Sequence, residues 1–431
     1  MQFILIVLLT VFSWLIYDSA DLGVYSFYTY LIYLIFDIVT NKKISLLLFW
    51  NFSFFFIIIS ESLLTNIYVE NYLIAYKYLL TANALINIGY LSKRTFKIKR
   101  KLKQLSLSNL NHKKIRFCFL ILLSLFFFSK IERSLHVFAV GRNVAYNDGY
   151  EGMMFSELIN SIGLILPSIL TYYYVIIRRK GLYIALIYST PIFFILFLGG
   201  TRFPLLFALV GVLIVYQSQY SNRINVRSYF VLSALLISLL LATKLMSHYR
   251  SSSTNNTQFT LLSASEKNIT SFPKFIANLM TNEGVLYQTA VVFNYFKNNS
   301  YLYGESSSFI LYFWIPRSIW SEKPTMLGYW LIRETSSSNF SNAHSASYGF
   351  TGTLYTDFGW FSLIPVFFLG RLLKLAELFK ALALLKKDYS IVIAGMLYPY
   401  VFFAVRSPIT ATINFIGILI VYYLVKKLIF K

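Results

Sequence analysis

Arg142, Arg202, Arg250, Arg317, Arg333 and Arg406 stand apart from the basic clusters of this 431-residue sequence, and only four histidines accompany them: His112, His136, His248 and His344. A guanidinium is permanently charged and presents forked donors that match phosphate oxygens, so several arginines at one face can replace a metal as the partner of a lipid diphosphate. An imidazole beside them can take a proton from an attacking hydroxyl near neutral pH. His344 is the best placed, because it precedes the return of a long polar stretch to apolar sequence. Glu322, Glu334 and Asp357 compete with it for the role of base. The sequence has no Walker-type glycine loop, CxxC, HExxH or DxD pair, so neither a metal nor a cofactor is expected.

Arg202 is the most unusual of the arginines. It lies in FLGGTRFPLL, inside an otherwise apolar run from Leu182 to Tyr216. A charge at the centre of a bilayer costs roughly 2.5–3.5 kcal/mol, so such a residue belongs where protein or water receives it. Gly199 and Gly200 are expected to break the run into two short spans with Arg202 at the tip, and Pro204 suits the first turn of the second. A side chain that merely snorkels to the headgroups is the alternative reading. Arg406, in FFAVRSPITA, is placed in the same way between the last two apolar runs, and Arg317 precedes SIWSEKP. Arg142, Arg250 and Arg333 also suit solvated loop charge. His112 belongs to a basic loop, and His136 ends an apolar run.

The elements that must position these residues are apolar helices. Hydrophobic residues make up 57% of the chain and charged ones 13%, with a mean hydropathy of +0.62, well outside the range of soluble domains. The expected fold is an all-α polytopic membrane protein of about twelve transmembrane helices, at 2–17, 22–40, 44–60, 68–91, 117–135, 153–177, 182–198, 203–217, 228–246, 350–370, 389–405 and 408–425. The first run lacks a basic flank and a small-residue cleavage site, so it reads as a span and not a removable signal. Cys118, the only cysteine, falls within an apolar run and reads as inert.

The net charge of +22 is a topology signal. With both termini in the cytoplasm, the cytoplasmic side collects Lys42, Lys43, the acid-free basic stretch 93–116, Arg178 to Lys180, the segment 371–387 and the C-terminal lysines. A basic face on anionic lipid accounts for the excess, and no nucleic acid is needed. Within the spans the notable charges are Glu70 and Lys77, two turns apart on one helix face. The segment 371–387 has amphipathic spacing and is expected along the membrane surface.

Three regions follow: nine spans within 1–246, a large outer loop at 247–349 and three spans within 350–431. A loop of this size with its own structural signals is usually functional. Its stretch NLMTNEGVLYQTAVVFNYF reads as an amphipathic helix, and FILYFWIPRSIWSEKP as an aromatic segment at the membrane interface.

GGTR, PRSIWSEKP, LYTDFGWFSLIPVFFLG and AVRSP, in that order, resemble the pattern of bacterial O-antigen and capsule repeat-unit polymerases of the Wzy type. The architecture is similar over most of the chain, and the motifs cover about residues 199–407. The resemblance implies a glycosyltransferase of the inner (cytoplasmic) membrane with its active site facing the periplasm. It would move a growing glycan from undecaprenyl diphosphate to an incoming lipid-linked repeat unit, with membrane lipid, a chain-length regulator and a flippase as partners. Arg202, Arg317 and Arg406, with Arg250, would engage the diphosphate, and His344 is the nearest counterpart of the loop histidine of the related ligases. Thr353 stands where many relatives carry an acid. An O-antigen ligase, a lipid-linked oligosaccharide flippase and a purely structural membrane protein are the alternatives.

Overall fold

The computed structural model describes residues 2–16, 19–41, 45–63, 71–92, 112–140, 156–199, 202–218, 284–315, 319–335, 346–386 and 388–429. Among these residues the chain is helical, with no strand. In chain order, α1 is Gln2–Ser13, α2 is Ser19–Asn41, α3 is Leu46–Phe54, α4 is Tyr72–Ser92 and α5 is His112–Val140. Then come α6 (Ser156–Thr171), α7 (Leu182–Leu198), α8 (Arg202–Gln217), α9 (Val285–Asn298), α10 (Glu305–Tyr312) and α11 (Leu327–Thr335). The last four are α12 (Gly349–Phe358), α13 (Leu363–Lys386), α14 (Ser390–Arg406) and α15 (Pro408–Ile429). Wider π-type turns extend α3 through Phe55–Ile59 and α6 through Tyr172–Ile177.

Most of the apolar runs are helices close to their expected limits, and α9 falls on the amphipathic stretch expected in the long loop. Among the described residues three helical segments are long and apolar enough to cross a membrane: Asp21–Thr40, Ile159–Ile177 and Pro408–Leu428. The outward side chains of α2 include Val24, Tyr28, Ile32, Ile35 and Val39, while Phe27, Tyr30, Tyr33 and Leu34 are buried. Phe117, Leu120, Ile121, Leu125 and Phe128 form the same kind of exposed apolar stripe on α5. A helix facing water would carry polar residues there.

Two expectations are corrected. The run 350–370 is not one helix: α12 ends at Phe358, Gly359 takes a positive φ of 56°, a 3-10 turn covers Gly359–Ser362, and α13 starts afresh. Nor is 371–387 a separate surface helix, because α13 continues unbroken to Lys386. Past Gly370 no glycine or proline interrupts it. The expected span at 228–246 lies outside the described residues, as does Glu70.

The described chain forms two compact units, one of Met1–Arg94, Leu240–Leu375 and Val401–Ile409, the other of Thr95–Leu239, Ala376–Tyr400 and Thr410–Lys431. The first has a polar core. Asn51 Nδ2 donates to Asn87 Oδ1 at 2.9 Å and Asn83 Nδ2 to Asn51 Oδ1 at 2.9 Å, while the Trp50 indole donates to Asn83 Oδ1 at 2.8 Å. Tyr30 and Tyr33 close the network through their hydroxyls. Between apolar helices such bonds supply association that hydrophobic burial cannot, since lipid is as apolar as the interface. In the second unit, tyrosines take over: Tyr389 stacks on Tyr422 at 4.6 Å, and Tyr172 meets Tyr389 edge-on at 5.5 Å.

In the first unit α4 and α13 cross backbone to backbone. A Cβ on Gly89 would lie 2.1 Å from the Phe367 carbonyl oxygen, and one on Gly370 would lie 2.1 Å from that of Ile86. Each helix therefore needs the other's glycine. By contrast, a Cβ on Gly211 in the second unit would meet only the side chains of Ser168 and Met396, which can move. Gly89→Ala and Gly370→Ala should each cost about 1–3 kcal/mol or more through forced separation of the helices. Thermal unfolding of the purified protein in detergent should show both melting well below Gly211→Ala.

Candidate functional site

Two helices of the long loop, α9 and α10, are held by buried carboxylates. The N-cap positions of α9 and α10 are Gly284 and Gly304, both at positive φ (57° and 96°), where glycine is at ease but offers no side-chain cap. Glu61, just past the π-turn of α3, supplies what Gly284 lacks: Oε2 accepts from Leu286 N and Oε1 from Tyr287 N, both at 2.9 Å. Asp357 does the same for α10, accepting from Ser306 N at 3.0 Å, Ser307 N at 3.1 Å and Ser307 Oγ at 2.5 Å. Negative charge at a helix N-terminus is also favoured by the helix dipole. The orphan carbonyls at the end of α12 are answered in turn, with Leu302 N donating to Thr356 O at 3.0 Å and Tyr303 N to Asp357 O at 2.9 Å.

Aromatic rings bind α4, α9 and α12 together. Phe293 stacks on Tyr355 at 3.8 Å, and Tyr78 packs edge-on to Tyr355 and Trp360 at 5.2 and 5.5 Å. The Tyr78 hydroxyl bonds Ser362 Oγ at 2.7 Å. At the other end of α12 three segments converge. A Cβ on Gly349 would lie 2.8 Å from Val285 Cγ1 and 3.1 Å from the Val405 carbonyl, and the hydroxyls of Ser347 and Ser407 lie 2.9 Å apart. Arg406, half-buried, is the last residue of α14 at this junction. The small cavity beside Val405, lined by Trp50, Phe54, Asn83 and Phe350 among others, is too apolar to receive a diphosphate.

Of the candidate arginines, Arg406 is thus placed where the long loop rejoins the helices. Arg202 is the first residue of α8, with Gly199 capping α7 through its N–H to Ile195 O, so the helix break falls at the expected turn. Arg250, Arg317, His344, Arg142 and His248 lie outside the described residues. Arg333, Glu322 and Glu334 are exposed. Burial and, more weakly, the nearby Glu334 raise the Tyr295 hydroxyl above its usual range. His112 pairs its Nδ1 with the Tyr173 hydroxyl at 3.1 Å. Asp357 is fully buried, with its carboxylate taken up by three donors of α10, which leaves the cap and not the base as its role.

Sequence reasoning missed Glu61, whose setting FIIISESLL reads as the plain end of an apolar run, and Lys323, whose ammonium donates to the Phe313 and Ile315 carbonyls at 3.1 and 2.8 Å. It also missed Tyr348, which buries its hydroxyl without a hydrogen-bond partner among the described residues. Among those residues no three His, Cys, Asp or Glu side chains are grouped to hold a metal ion. No family model matches this chain, and no curated protein or solved structure does either.

The capping role of Asp357 has a measurable consequence. Hydrogen bonds to a charged partner contribute about 1.5–3 kcal/mol, so Asp357→Ala should lower the melting temperature by several degrees and open the segment near α10 to limited proteolysis. Asp357→Asn should recover only part of the loss, because one of the two accepting oxygens becomes an NH2 that cannot accept from α10. An Asn variant as stable as wild type but without activity would identify a base instead.

Proposed function

We propose that this protein is a repeat-unit polymerase of bacterial surface polysaccharide, an integral membrane enzyme of about twelve spans with both termini in the cytoplasm and its site on the periplasmic side of the inner membrane. The observation that carries the reading is the Ser347–Ser407 contact, which brings the AVRSP motif, with Arg406, to the point where the long loop rejoins the helices. One motif stretch and the end of the long loop, far apart in sequence, thereby share one junction.

The chemistry asks little of the protein. The acceptor hydroxyl oxygen bonds the anomeric carbon while the bond from that carbon to the diphosphate oxygen breaks. The electron pair leaves with undecaprenyl diphosphate, and the hydroxyl proton passes to the base, His344 in this reading. Diphosphate is already a good leaving group, so the main tasks are to stabilise its growing charge and to orient the acceptor. Arg406, Arg202, Arg317 and Arg250 serve the first task. A single displacement inverts the anomeric centre.

The test is the glycan ladder of cells lacking the gene, complemented with wild type, Arg202→Ala, Arg406→Ala or His344→Ala at equal abundance. The loss of a charge-assisted phosphate contact is expected to cut polymerisation about 10- to 100-fold, leaving single repeat units on the lipid A core. Arg406→Lys should restore only part, because lysine lacks the forked donors. Loss of every repeat from the core in the deletion strain would point to a ligase or flippase. Unchanged ladders in both arginine variants would remove those residues from the site.

A further inference from the structure

The first unit presents an apolar, aromatic face that its own packing leaves uncovered. Leu311 is 75% exposed, Trp314 63% and Ile319 74%. Trp314 folds back onto α10, its indole donating to the Leu311 carbonyl at 2.8 Å. Trp320 lies 5.3 Å from the Tyr312 ring, which brings Ile319 alongside the same helix. The Lys323 ammonium is turned inward: it donates to two backbone carbonyls and rests 5.5 Å from the Phe309 ring. The cluster is rigidly mounted, since Asp357 caps α10 and the backbone of Leu302 and Tyr303 is bonded to the end of α12.

We propose that this face of α10 and the turn after it is a membrane anchor, seated in the headgroup–acyl boundary of the bilayer, with lipid as its partner. Continuity argues for lipid. Gly304 lies against Phe358, and the chain then runs through the exposed Trp360 and Phe361 into α13, whose outward residues Ile364, Phe368 and Leu372 continue the apolar surface. Trp360 also meets Trp14 at 6.1 Å, itself exposed at the end of α1. Indole rings with apolar neighbours and an internally satisfied N–H suit the boundary region, where one side of the ring is in hydrocarbon and the other is wet. An exposed patch of this kind in water would be an aggregation liability. The consequence is that the long loop enters the membrane surface at α10.

The test uses the full chain in lipid nanodiscs, in a Cys118→Ser background, with spin labels on Leu311→Cys and Ile319→Cys and on the water-facing controls Asn298→Cys and Thr335→Cys. Collision with oxygen, which concentrates in hydrocarbon, is compared with collision with a water-soluble nickel chelate. The oxygen-to-nickel ratio at 311 and 319 is expected to exceed that of the controls by about fivefold or more. Ratios equal to the controls would place the face in water, and labels shielded from both probes would place it under a second copy or another protein; either result overturns the proposal. If the labelled variants do not fold, quenching by brominated lipids in otherwise native protein, compared between wild type and Trp314→Phe, decides the same question: wild type should lose more emission. Equal quenching would overturn the anchor. The outcome is independent of the glycan ladder, so the anchor and the transferase can fail separately.

Discussion

A helix that begins among packed apolar side chains must still satisfy the amide groups of its first turn, and this requirement organises the described loop. At Gly284 and Gly304 the chain turns through left-handed backbone, for which glycine is the natural residue and from which no side-chain cap is available. The donors of α9 and α10 are answered from elsewhere in the chain, by Glu61 at a distance of more than two hundred residues and by Asp357 at about fifty. Because these bonds are made to charged groups, each fastens its helix in position and orientation. The aromatic stack of Tyr78, Phe293 and Tyr355 fills the space between the clamped elements.

The helices that receive the loop are joined by means suited to an apolar surround. Where lipid is as apolar as the interface, association depends on close packing and hydrogen bonds. The Asn51, Asn83 and Asn87 network provides the bonds, and the Gly89–Gly370 crossing provides the closeness, at a distance that admits no side chain. The crossing lies at the helix whose start is set by the Gly359 turn, so α12, with its two junctions, is held at both ends. Arg406 and the serine pair sit at one end, and Asp357 with the clamped α10 sits at the other.

How much of this is legible in the sequence depends on range. Apolar runs and their breaks are local, and α7 coincides with its expected limits at both ends, as the Gly-Gly pair before Arg202 implies. The break at Gly359 is local too, and its glycine is visible in FGWFSLIP, but apolar residues continue on both sides and the nearby Gly370 lies within a helix, so a glycine there does not by itself mark a break. The caps are not local. Glu61 follows an apolar run, and nothing near it names Leu286 and Tyr287 as its partners. Asp357 carries a carboxylate in a suggestive motif, which is equally what a base and a cap look like in sequence; only its enclosure by three donors separates them. For the candidate site, the AVRSP motif and the end of the long loop are visible separately, and their meeting through the Ser347 and Ser407 hydroxyls is a property of the fold.

The same caps bear on the electrostatics of the proposed reaction. An acidic side chain near the arginines would weaken their hold on an anionic leaving group, and Glu61 contributes its charge close to the junction, since Val285 at the head of α9 packs beside Gly349. A helix N-terminus carries the equivalent of roughly half a positive charge, so the capped carboxylate and α9 partly cancel. The buried acid thus fastens α9 to the end of α3, and the dipole of the helix it caps answers part of its charge.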